Sequence, residues 1–304
     1  MILAPHKGTN PIFRSCIEAF GGGRIDVRLR LAARLLIFFS YALMLFSSAA
    51  ALASNFPVHY REGLLHGFLL LSTTEGVPIA AGDVTQVAQG DKVTLHLVFH
   101  FKDGSLQDEI TVFSQRKMFS LISYHLVQKG PAFPHPTDMT IAASTGEVTV
   151  RYADDKGEEM VESERMKLPP DLANGMVPTL LKNFPIGAAL PPMSMVVATP
   201  KPRIVKLNFS SQGTEPFSLA GASREARHYV IKVEIGGVAG LVAPLVGKQP
   251  PDAHVWIFGG EAPTFVKSES LFYLGGPVWR MEILSPAWPK SSTAEAKEQS
   301  AAKQ

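Results

Sequence analysis

From Lys92 to Lys102 the side chains alternate, with Val93, Leu95, Leu97, Phe99 and Phe101 on one side and Thr94, His96, His100 and Lys102 on the other. A period of two commits this stretch to an extended strand with one buried face, because a helix would scatter the same residues round its axis. Lys102-Asp103-Gly104-Ser105 then supplies turn chemistry, and the alternation resumes from Asp108 to Gln115 through Ile110 and Val112. Thr149–Tyr152 and Glu159–Met166, on either side of Asp154-Asp155-Lys156-Gly157, read as a second hairpin. His228–Ile235, Ala253–Phe258, Thr264–Phe272 and Val278–Leu284 add four strands separated by Gly and Pro. About ten to twelve strands at this spacing predict a mostly β fold, a single antiparallel meander curved into a half-barrel or open barrel with one or two short helices. The clearest helix is Val177 to Asn183, where Pro178 suits a first turn.

The segment before this domain has a different character. Arg24, Arg28, Arg30 and Arg34 precede an uncharged run from Leu35 to Leu52, and Ala51-Leu52-Ala53 has the small-x-small pattern that a signal peptidase reads. The expected organisation is a leader and signal peptide over 1–53, a β-rich domain over 56–289 and a solvated tail over 290–304. Cleavage near Ala53 would place the mature protein in the periplasm or outside the cell, and Ser54 at the cut excludes lipidation there. A retained anchor is the competing reading, since the run approaches the length of a short spanning helix. Of 29 Lys and Arg against 27 Asp and Glu, six basic and two acidic residues lie before Ala53, so the remainder carries a net charge of −2. That charge leaves no electrostatic footprint for nucleic acid. The one cysteine, Cys16, also lies in the leader, so the domain has no disulfide and must be held by its core.

Motifs for chemistry are scarce. Gly221-Ala222-Ser223-Arg224-Glu225 lacks the second glycine of a nucleophile elbow, and no zinc-protease, phosphate-loop or dinucleotide fingerprint occurs. His96 and His100, with Asp103 and Asp108 after them, are the best acid/base candidates. They would stand about 13 Å apart along a strand, too far to chelate one ion, and read more simply as a strand's polar face. His66, His125, His228 and His254 are scattered, with no partner at ligand spacing. Asp154, Asp155, Glu158 and Glu159 lack the regular oxygen spacing of a calcium loop. No catalytic residue, metal or cofactor is expected.

Gly236 to Gly247 is uncharged throughout and is followed by Trp256, Phe258, Phe265, Phe272, Tyr273 and Trp279. Read plainly, these residues are core and a buried turn. Read as a site, Leu241 and Leu245 belong to a glycine-hinged lid, and Trp256, Phe258 and Trp279 line an apolar cavity beneath it.

Leu168-Pro169-Pro170-Asp171-Leu172-Ala173-Asn174-Gly175-Met176 and Gly276-Pro277-Val278-Trp279-Arg280-Met281-Glu282, on an exported β meander with one central helix, resemble uncharacterised bacterial envelope proteins. The layout is also similar to periplasmic half-barrel lipoprotein carriers. That resemblance implies a curved sheet sheltering an acyl chain on its concave face. The partners it suggests are a lipid or lipoprotein acyl chain, or another envelope protein. The leading expectation is a non-catalytic binding or carrier protein for an apolar or amphipathic ligand. The alternatives are a structural envelope protein without a ligand and a hydrolase using His with Asp or Glu in a barrel mouth.

Overall fold

The computed structural model describes residues 56–154, 156–185, 187–199, 201–219, 221–236 and 249–284. The expected leader 1–53, the candidates Leu241 and Leu245, and the tail 290–304 lie outside the described residues. The first eight strands are β1 (Leu65–Thr73), β2 (Pro78–Gln89), β3 (Lys92–Phe101), β4 (Leu106–Gln115), β5 (Phe119–Lys129), β6 (Thr137–Ala142), β7 (Glu147–Ala153) and β8 (Glu159–Arg165). A short helix, α1 (Val177–Lys182), precedes β9 (Met193–Val197), β10 (Arg203–Leu219), β11 (Ala222–Glu234), β12 (Ala253–Phe258), β13 (Thr264–Leu271) and β14 (Val278–Ile283).

The fourteen strands of the described residues form one sheet in the order β8-β7-β6-β5-β4-β3-β2-β1-β14-β13-β12-β11-β10-β9. Every neighbour is antiparallel, so the meander runs outward in both directions from the β1–β14 pair, and β8 and β9 are its two edges. Alternation marked eight of the strands; β1, β2, β5, β6, β9 and β10 are additional.

The sheet is strongly curved. Ile141 of β6 and Ile231 of β11 share one core cluster, although nine strand spacings, roughly 43 Å, would separate them in a flat sheet. What fills the concavity is the β8–β9 connection. Leu172, Ala173, Met176, Leu180 and Leu181 are buried against Phe113, Tyr124 and Val148 from one half of the sheet and Leu207, Tyr229 and Ile257 from the other. A second cluster of Leu69, Leu71, Phe99, Phe101, Phe133 and Trp279 continues the apolar lining under β1–β3 and β14. The register of β3 follows from this lining. Phe99 is fully buried and Leu95 and Leu97 face the same side, whereas His96 and His100 face outward.

Polar locks hold the connection in place. The Asn183 side-chain oxygen at the end of α1 accepts hydrogen bonds from the backbone N–H groups of His59 (2.9 Å) and Tyr60 (2.7 Å). Lys182 Nζ meets Glu62 Oε1 at 2.6 Å, while Gln86 Nε2 donates to Glu62 Oε2 at 2.9 Å. Upstream, Asp171 accepts from Ser194 Oγ (2.8 Å) and Lys206 Nζ (2.7 Å). The Asn174 amide donates to the Val196 carbonyl and accepts from the Val196 N–H, standing in for a strand along the free edge of β9. Gly175 has φ +66°, and a Cβ there would overlap Thr111 Oγ1, so glycine is required both by conformation and by the close approach.

Candidate functional site

The outward face of the sheet carries most of the polar chemistry. Cross-strand pairing brings His96 Nε2 to within 2.8 Å of Asp108 Oδ1 and His125 Nε2 to within 2.9 Å of Asp138 Oδ1, with His66 and Asp83 at 3.5 Å. Each histidine sits on an odd-numbered strand and each aspartate on the next even one, so the three pairs repeat with the hairpins. Antiparallel register thus supplies His66 and His125 with carboxylate partners that linear spacing hides. His100 stays exposed, and Asp103 accepts the Ser105 N–H inside its turn at 2.9 Å. These pairs are 35–56% exposed and lie on an open face, which suits solvation better than catalysis.

The other half of the outward face is more closely built. His228 of β11 stands opposite Trp256 of β12, which stands opposite Lys267 of β13. The His228 ring stacks on the indole at 4.2 Å and an interplanar angle of 7°, and Lys267 Nζ lies 3.8 Å from the indole centroid. The indole is thus clamped from both flanking strands, the cation adding its attraction for the ring's negative face. Glu215 of β10 reaches across the small Ala226 to complete the arrangement. Its carboxylate accepts from Trp256 Nε1 at 2.8 Å and meets His228 Nδ1 at 2.7 Å. The Trp256 hydrogen bond, with smaller help from the neighbouring His228 and Lys267, holds the Glu215 carboxyl below its ordinary range.

His228 Nε2 in turn lies 2.9 Å from His254 Nδ1, a cross-strand contact that their spacing in the sequence does not announce. Their ring centroids are 5.1 Å apart, so the two nitrogens point nearly head-on, as a shared proton requires. Two ligands of one tetrahedral ion would converge off that line, roughly 3.3 Å apart. Among the described residues no three His, Cys, Asp or Glu side chains converge as a metal site does. The chain Glu215–His228–His254 can share or pass a proton, but its central ring is locked against Trp256.

Beside this clamp lies an open groove of about 340 Å³. Its apolar floor is Ala226, Trp256 and Val266; Pro216, Phe217 and Ser218 form one wall, Glu282 and Ile283 the other. The wall exists because β10 and β11 continue as a long twisted hairpin beyond β12, with a register shift between Ser211 and Thr214. Phe258 packs edge-on against Phe217 at 6.1 Å and supports that wall.

The candidate aromatics are therefore divided. Trp256 floors the groove and Phe258 buttresses it, whereas Trp279 lies on the inner face against Phe272 (5.3 Å) and Phe101 (5.4 Å). Glu215, Phe217, Val266 and Lys267 complete the groove without any sequence signal, since each enters through register. A further polar group lies inside the sheet: Glu109 of β4 shares a hydrogen bond with Tyr124 of β5 beneath Gly175, and burial pushes its carboxyl up to about 7. Burial, then the Glu109 charge, drives the Tyr124 phenol well above its ordinary value.

No family model matches the sequence, and a search of curated proteins gives no match. Among solved structures the chain is similar to the β-barrel-like protein of the domain of unknown function DUF1849 from Brucella abortus, at 10% identity and a TM-score of 0.42 over 75% of this chain and 99% of that one. It is also similar to the hypothetical lipoprotein YmcC from Escherichia coli, at 11% identity and a TM-score of 0.30 over 74% of this chain and 87% of that one.

Proposed function

We propose that this is an exported protein of the bacterial envelope that binds an amphipathic small molecule in the Trp256 groove without changing it chemically. The observation that carries the reading is the groove itself. Its volume falls at the lower end of the range for small-molecule sites, roughly 300–1,000 Å³, and an apolar floor with a few fixed polar groups is their usual composition. The clamp around Trp256 supports it further, because a floor held by His228, Lys267 and Glu215 needs no reordering when a ligand arrives. The Arg-rich, apolar and Ala-x-Ala succession up to Ala53 supports export.

Titration of the domain with an alkyl amphiphile below its micelle concentration, followed by calorimetry, tests the reading. One-to-one binding is expected, weakened at least tenfold by Glu282→Trp, which places an indole in the groove from its β14 wall, on the outward face opposite Lys267. Equal heats for the parent and this variant would refute a site at the groove. A second reading, a structural protein without a ligand, is favoured by the filled concave face, where residues 172–181 occupy the space an acyl chain would need. Absence of binding by any amphiphile would select it.

A further inference from the structure

Resting on the groove reading, we infer that the ligand is a single-chain amphiphile with a positively charged end group, whose apolar chain runs from Trp256 across β13 and β14 to Phe68 on β1.

The path follows from register. Leu69 stands opposite Ile283, and the Leu284 N–H donates to the Phe68 carbonyl at 2.8 Å, so Leu284 lies opposite Phe68. Both side chains point away from the core, to which Leu69 belongs, and both are open to solvent, Phe68 at 52% and Leu284 at 45% exposure. The groove's far wall is Glu282 and Ile283, so Leu284 is its direct continuation. Trp256, Val266, Leu284 and Phe68 thus form one apolar stripe across the outward face, part floor and part uncovered.

From β12 to β1 is three strand spacings, about 14 Å, which a staggered chain of about twelve carbons spans. A ligand confined to the groove would leave Phe68 and Leu284 in water, and a longer chain would cover them. Charge selects the end group. Glu215 and Glu282 line the groove against the single cation Lys267, which is itself bonded to Glu269 at 3.5 Å. The lining is therefore net negative and suits a cationic end, with the Phe217 ring in the wall to receive it. A carboxylate end would meet two carboxylates.

Calorimetry with dodecyltrimethylammonium, hexyltrimethylammonium and dodecanoate, each below its micelle concentration, tests both parts. The parent should bind the twelve-carbon cation at least tenfold more tightly than the six-carbon one and at least tenfold more tightly than dodecanoate. In a Phe68→Ser/Leu284→Ser variant, altered only at exposed positions, the chain-length advantage should fall below threefold while affinity for the short cation is unchanged. Survival of that advantage in the variant would overturn the path, and equal binding of dodecanoate would overturn the end group. Either failure leaves the groove reading standing if Glu282→Trp still weakens binding. If no amphiphile binds the parent, both readings fall.

Discussion

Replacing Lys182 by Met should lower the stability of the domain by about 3–5 kcal/mol, measured by urea unfolding at neutral pH. Lys182 and Glu62 are 13% and 7% exposed, and they join the end of α1 to the segment that leads into β1. The Glu62 backbone is fixed as well, its N–H donating to Gln115 Oε1 at 2.6 Å and its carbonyl accepting from Gln115 Nε2 at 3.0 Å. Removing the ammonium leaves a carboxylate in that enclosure with only the Gln86 amide for company, and the desolvation cost is no longer offset. The double replacement Glu62→Gln with Lys182→Met should recover most of the loss, because a neutral amide carries no such cost. A loss below 1 kcal/mol in the single variant would show that the pair is open to water.

Glu109→Gln should have the opposite sign and depend on pH. The carboxyl is raised from 4.5 to about 7 by its enclosure within the sheet, although it keeps a little accessible surface there. A group raised in the folded state contributes its full stability below the unfolded value, near pH 4.5, and loses it as pH rises through about 7. The native protein should therefore weaken between pH 5 and pH 8 by roughly 2–3 kcal/mol from this group alone. The glutamine variant has no proton to lose at this position. It should match the parent near pH 5 and exceed it at pH 8, with a melting temperature higher by about 4–12 °C. Parallel melting curves for the two proteins across this range would contradict the assignment.

The strand-rich meander was legible because β3, β4 and the strands of the last third keep one apolar face and one polar face. β1 and β10 were not, and the reason is physical. β1 turns Phe68 and Leu70 outward as well as Leu69 and Leu71 inward, so its run has no period of two. β10 carries Phe217 on the outward side beyond its register shift, while Ser211 and Thr214 pair with Tyr229 and Arg227 on the inner side. The site was less legible still. Trp256 and Phe258 stand out as aromatics in a strand, but what makes a site of them is Glu215, 41 residues earlier, and His228, 28 residues earlier. Such separations are fixed only by which strands pair and at what register. The same holds for His228 and His254, whose contact no local pattern announces.

The most direct measurement is a native mass spectrum of the protein purified from its own cells without detergent. The account predicts a species carrying one bound single-chain amphiphile, absent from the Glu282→Trp variant prepared in the same way. Bare protein in both preparations, or the same adduct in both, would contradict a ligand site at the Trp256 groove.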